Sequence, residues 1–111
     1  MSEFKSKYTR EEITIKGLEI VSHAGEARSN YVFALKAAKE HDWDKFSEYK
    51  KNAEKEILEA HKIQTDLLFS ESNGEYSDIT MIMLHGQDYL MTAILFGEIL
   101  ETLADIYREK K

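Results

Sequence analysis

With 111 residues, 42% hydrophobic and 32% charged, the chain can build one soluble domain around a single core, and no apolar run approaches the ~20 residues of a membrane span. The absence of cysteine excludes a disulfide framework, a thiolate nucleophile and a zinc–thiolate site, and residues 1–9 carry no apolar signal segment; both suit a cytoplasmic protein. A net charge of −6, with short basic groups at Lys50-Lys51 and at residues 108–111, argues against nucleic acid as a partner.

Residues 1–9 read as a flexible N-terminus and residues 10–111 as a single domain. Thr9-Arg10-Glu11-Glu12 fits a capping box, with Thr9 as N-cap and Glu12 three residues into the helix. From there Ile13, Gly17, Ile20, Val21, Ala24, Ala27, Tyr31, Leu35 and Ala38 keep helical spacing. His41-Asp42 breaks the pattern, and Asp42 suits the N-cap of a second helix. Phe46, Tyr49, Ala53, Ile57, Ala60, Gln64, Leu67 and Leu68 trace its stripe, and Ser72-Asn73-Gly74 reads as its C-cap and turn. Ser77 or Asp78 is expected to start a third helix that runs to about Arg108. Short connections between long helices imply antiparallel neighbours, so the expected fold is all-α, an up-down-up three-helix bundle.

The third helix is too apolar for this bundle alone. Met81, Leu84, Met91, Leu95, Ile99 and Ile106 form one stripe, and Ile82, Tyr89, Phe96 and Leu100 form a second. Met83, Leu90 and Ile94 are expected to lie on the remaining outer side. A helix apolar nearly all round is normally covered on every side, which points to burial by further copies of the chain in closed symmetry.

Within this helix His85, Gln87 and Asp88 stand among Met, Leu and Ile. Burying such groups costs a few kcal/mol each unless a partner is supplied. Asp88 falls in the Leu84–Met91–Leu95 stripe, where a lone carboxylate is destabilised. A Lys or Arg partner would answer this; so would a divalent cation such as Mg²⁺, held by oxygen ligands and waters where copies converge. His85 lies one helical turn from Asp88, and a neutral imidazole is a good nucleophile near neutral pH. A hydrogen-bonded core histidine is the plainer reading of a lone His, but Gly86 beside it signals the close approach of another group.

The remaining polar candidates are weaker. His41 sits in a turn, His23 at the margin of the first stripe, and His61 shares a turn with Gln64, whose core amide requires a hydrogen bond. Arg28 intrudes on the first helix's apolar face, either as a structural ion pair or as a phosphate ligand.

His85-Gly86-Gln87-Asp88-x-Leu90-Met91-Thr92 resembles the active-site signature of the IIA component of the lactose/cellobiose class of the bacterial sugar phosphotransferase system. Ala24-Gly25-Glu26-Ala27-Arg28-Ser29 and Glu59-Ala60-His61-x-x-Gln64-Thr65 agree with that family in order and spacing, and the resemblance spans about Glu12 to Arg108. It implies a homotrimer of three-helix subunits, a nine-helix bundle. It also implies that His85 takes a phosphoryl group on Nε2 from the phosphocarrier protein HPr and passes it to a cysteine of the cognate IIB component, during uptake of a β-linked disaccharide. By the same resemblance, Asp88 from three subunits holds one structural metal ion at the trimer axis. One departure is visible: family members usually carry a second histidine where this chain has Tyr89.

Two other classes fit less well. A metal-dependent helical bundle would use His85 and Asp88 as a ligand pair, but the carboxylate-bridged type needs a second Glu-x-x-His pair and further Glu residues. A non-enzymatic adaptor would merely bind partners through its helices.

Overall fold

The computed structural model describes residues 8–75 and 78–110. Three helices make up the fold: α1 (Arg10–Lys39), α2 (Trp43–Ser72) and α3 (Met81–Arg108). Among the described residues there is no strand, and no helix is long and apolar enough to cross a membrane.

The helix ends follow local chemistry. Thr9 Oγ1 accepts from Glu12 N–H at 3.0 Å while Thr9 N–H donates to Glu12 Oε1 at 2.8 Å, which completes the capping box. Seven of the nine residues expected to be flexible lie outside the described residues. Tyr8, next in line, is tied down: its hydroxyl donates to Asp66 on α2, and Lys16 Nζ lies 4.6 Å from its ring centroid. At the far end His41 takes a left-handed φ of 61°, which reverses the chain so that Asp42 N–H donates to Ala37 O at 2.9 Å. Asp42 then caps α2 by accepting from Lys45 N–H at 3.2 Å. Asn73 closes α2, and Gly74 carries the chain out at φ 84°.

The start of α3 differs from expectation. Ser77 lies outside the described residues, and Asp78 precedes the helix rather than opening it. The N-cap is Thr80, buried and extended, whose Oγ1 accepts from Met83 N–H at 3.2 Å. Asp78 is engaged elsewhere, 3.6 Å from the Arg10 guanidinium at the start of α1.

Cross-helix contacts fix the topology. Phe33 meets Tyr49 and His23 meets Glu56, so α1 and α2 run antiparallel; Gly25 faces Tyr89 and Tyr31 faces Phe96, so α1 and α3 run parallel. The bundle is therefore up-down-up. Both α2 and α3 pack along α1 but touch each other sparsely. Helix α1 is the hub, and its buried face alternates small residues (Gly17, Ala24, Ala27, Ala34, Ala38) with Ile13, Ile20 and Tyr31.

This arrangement corrects the facing of α3. Its core side is Gly86, Leu90, Ala93, Leu100 and Ala104. Leu90, expected outside, is fully buried, while Met83 and Ile94 are partly buried on the flank. At ~100° per residue, the stripe Met81, Leu84, Met91, Leu95, Ile99 and Ile106 lies opposite that core side. All six are exposed in the single chain. Leu68 on α2, also expected inside, is exposed too.

Candidate functional site

The polar residues of α3 separate onto three sides of the helix. Gln87 turns toward α2, where the buried Gln64 amide donates to its Oε1 at 3.2 Å. That bond is the partner the core amide required. Asp88 turns outward, exposed, in the middle of the uncovered apolar stripe. Among the described residues it forms no ion pair, so the Lys or Arg partner considered for it is not found. His85 lies on the flank facing α1 and is also exposed.

Gly86 explains how α3 sits where it does. A Cβ at Gly86 would come within 2.9 Å of the Gly17 carbonyl oxygen and 3.3 Å of Ile20 Cβ. The close approach that this glycine signals is thus made by α1 itself. The consequence for the site is rigidity: the residue next to His85 is clamped on a neighbouring backbone.

One turn further along α3, Tyr89 lies under the imidazole. The two rings are nearly parallel, 17° apart in plane with centroids 5.5 Å apart, an offset-stacked geometry. The Tyr89 ring in turn rests on α1 at Gly25, where a Cβ would stand 3.4 Å from Cε2. Arg28, one turn beyond Gly25, places its guanidinium carbon 4.4 Å from the Tyr89 ring centroid. Among the described residues Arg28 makes no ion pair, so of the two roles read for it the structural ion pair is not found. Beside it, Arg28, Ser29, Val32, Phe33 and Tyr89 line a shallow open depression of about 260 Å³.

The other histidines lie apart. His23 Nδ1 is 2.7 Å from Glu56 Oε1, bridging α1 and α2. His41 packs edge-on to Trp43 in the first turn, and His61 is exposed on α2. Among the described residues no three His, Cys, Asp or Glu side chains of one chain come together as a metal site. A pairing of His85 with Asp88 as ligands is therefore not completed within a single chain. Sequence spacing does not show the Arg28–Tyr89 contact, because what joins Arg28 to Tyr89 is a helix–helix register.

The family model described as "PTS system, Lactose/Cellobiose specific IIA subunit" matches residues 16–108. The chain belongs to this family. Among its relatives, the lactose-specific EIIA component of Staphylococcus epidermidis is 41% identical over 90% of this chain and 96% of its own length. That of Lacticaseibacillus casei is 48% identical over 78% of each. The crystal structure of the cellobiose-specific enzyme IIA from Bacillus anthracis superposes with a TM-score of 0.84, at 33% identity over 92% of both chains. PtcA from S. mutans superposes at 0.87, at 32% identity over 92% of this chain and 100% of that one. The protein is accordingly a IIA component of the sugar phosphotransferase system, and its three-helix fold is that of solved members.

Proposed function

We propose that the chain is a phosphocarrier in which His85 accepts a phosphoryl group from HPr and yields it to a cysteine of the cognate IIB component, serving uptake of a β-linked disaccharide such as lactose or cellobiose. The observation that carries this reading is an exposed imidazole at a rigid point of α3, beside the clamped Gly86, in a member of this family.

In the first step the lone pair of His85 Nε2 attacks the phosphorus carried by the donor's imidazole. The new N–P bond forms as the donor's N–P bond breaks in line, and its electron pair returns to the donor ring. With the donor ring protonated on its other nitrogen, it leaves neutral, and His85 ends as a phosphoimidazolium with Nδ1–H retained. In the second step the IIB thiolate attacks the same phosphorus, and His85 leaves as the neutral ring. What the protein supplies is position: a rigid helix, an exposed nucleophile and room for a visiting protein.

The uncovered α3 stripe supports a homotrimer. Six large apolar side chains in register over one helix face are buried if three copies bring their α3 helices together. Asp88 then enters an apolar axis in triplicate, with no ion pair among the described residues to balance it. Three carboxylate oxygens with waters fit Mg²⁺, which when bound supplies positive charge that holds the three carboxylates together. In this reading the ion is structural, and none of the transfer chemistry depends on it. All these groups operate in the cytoplasm, where IIB and HPr meet the carrier.

Incubation with phosphorylated HPr tests the proposal. The wild-type chain should take an acid-labile, base-stable phosphoryl group, and His85→Ala should fold and assemble yet remain unlabelled. Labelling of His85→Ala to the wild-type level would overturn the assignment.

A further inference from the structure

Tyr89 and Arg28 form a contact that bears directly on the His85 ring, and it rests on the phosphocarrier reading above. A histidine placed four residues after His85 would offer a ring that can itself carry charge. Tyrosine cannot do so near neutral pH, yet it presents a larger flat face. That ring meets two groups: the His85 imidazole, almost parallel to it, and the Arg28 guanidinium, 4.4 Å from its centroid.

We propose that Tyr89 is the positioning residue that sets the plane of the His85 imidazole, and that Arg28, held on the same ring, is the cation that faces the phosphoryl group during transfer. Three observations converge on it. The first is geometric: the imidazole lies nearly parallel to the Tyr89 ring, 17° apart in plane, an arrangement that favours one plane for the His85 ring. The second is the placement of Tyr89, whose ring faces α1 at Gly25, where an added Cβ would stand 3.4 Å from Cε2. The third concerns charge. Arg28 is exposed and forms no ion pair among the described residues, in a chain whose net charge is −6. A structural arginine on an acidic protein would be expected to hold a carboxylate; this one is held by an aromatic face and keeps its donors for another group.

The placement suits a group that arrives and departs. The phosphoryl group of phosphohistidine carries dispersed negative charge on three oxygens, and a planar guanidinium can donate to two of them. The Arg28 guanidinium carbon stands 4.4 Å from the Tyr89 ring centroid and the His85 centroid 5.5 Å from it, so the long arginine side chain can reach a phosphoryl group on that imidazole. Its charge therefore acts on the phosphorylated state and not on the free imidazole's placement, which belongs to Tyr89. The two roles are separable by mutation.

The test uses the full-length protein with phosphorylated HPr, reading the single-turnover transfer rate, the equilibrium labelling and the NMR signals of the His85 ring. Tyr89→Leu should slow transfer by about tenfold or more and move the His85 ring-proton signals by removing the ring current. Tyr89→Phe should retain both, since stacking does not need the hydroxyl. Arg28→Gln should leave the His85 ring signals in place while slowing transfer and shifting the labelling equilibrium toward HPr, each by about fivefold to tenfold. Arg28→Lys should recover part of that loss. Wild-type rates in both Tyr89→Leu and Arg28→Gln, with the wild type labelled on His85, would overturn this proposal and leave the phosphocarrier reading standing. Failure of the wild type to become labelled, or labelling of His85→Ala, would remove the phosphocarrier reading first.

Discussion

Gly86 on α3 and Gly17 on α1 cross at a distance that neither could keep with a side chain. A Cβ on Gly86 would stand 2.9 Å from Gly17 O, and one on Gly17 would stand 2.7 Å from Ile82 Cγ2 and 3.0 Å from the Met83 backbone. Because the obstacle at Gly86 is a carbonyl of a helix and not the end of a flexible side chain, the helices must move apart to admit a methyl group. Overpacking of this kind costs about 1–3 kcal/mol, offset by up to about 1 kcal/mol from alanine's better helix propensity. Gly86→Ala should therefore lower stability by about 1–2 kcal/mol net, read as an earlier thermal transition at matched protein concentration. An unchanged or raised transition would show that α3 is not clamped there.

Much of the fold was legible because it is written in local chemistry. Thr9 with Glu12, Asp42, and Asn73-Gly74 each act within a few residues, so their sequence signals survive without knowledge of the neighbours. The facing of α3 was not legible in the same way. A helix with apolar residues on three sides does not declare which side meets its partner, and Leu90, expected outside, is fully buried in a cluster with Ile20 and Ala24 of α1 and Ala60 of α2. The decisive information lay in the small residues Gly86, Ala93 and Ala104, which let α1 approach and so define the core side. At the site, His85 and Asp88 were visible as polar intrusions in an apolar run. The meeting of Tyr89 with Arg28 was not, since it depends on the parallel register of α1 and α3 set by those same small residues.

A charge cluster of Lys50, Glu101, Asp105 and Arg108 joins the later part of α3 to α2 and gives the stability a pH dependence. Lys50 Nζ donates to Glu101 Oε1 at 2.8 Å, and Arg108 donates to Oε2 at 3.0 Å. The Lys50 hydrogen bond, aided by Arg108 and opposed by partial burial, holds the Glu101 carboxyl below the usual carboxylate range. A group whose folded pKa is depressed contributes stability above its unfolded value, about 4.3 for Glu, and loses it as pH falls through the folded value. Glu101 is partly solvated, so the contribution is small and salt-sensitive. Urea midpoints for Lys50→Met should fall below wild type at neutral pH, and the gap should narrow on acidification. A gap that widens in acid would mean that Lys50 acts through something other than this carboxylate.

In the proposed homotrimer with its axial Mg²⁺, Asp88 separates two views of what would hold the copies together. If the exposed α3 stripe is the adhesive, Leu84, Met91, Leu95 and Ile99 drive association by burial, and Asp88 is a charge that the assembly tolerates by binding a cation. If the cation is the adhesive, the apolar stripe is secondary. Asp88→Leu distinguishes them, because it continues the apolar row while deleting every carboxylate from the axis. Replacing buried charges by apolar side chains of similar volume is often neutral or stabilising by about 1–4 kcal/mol. The variant should accordingly lose bound metal by elemental analysis while sedimenting as the wild-type oligomer, and it should still accept the phosphoryl group proposed for His85, whose ring stacks on Tyr89 away from the stripe. Sedimentation as a monomer would assign the association to the ion.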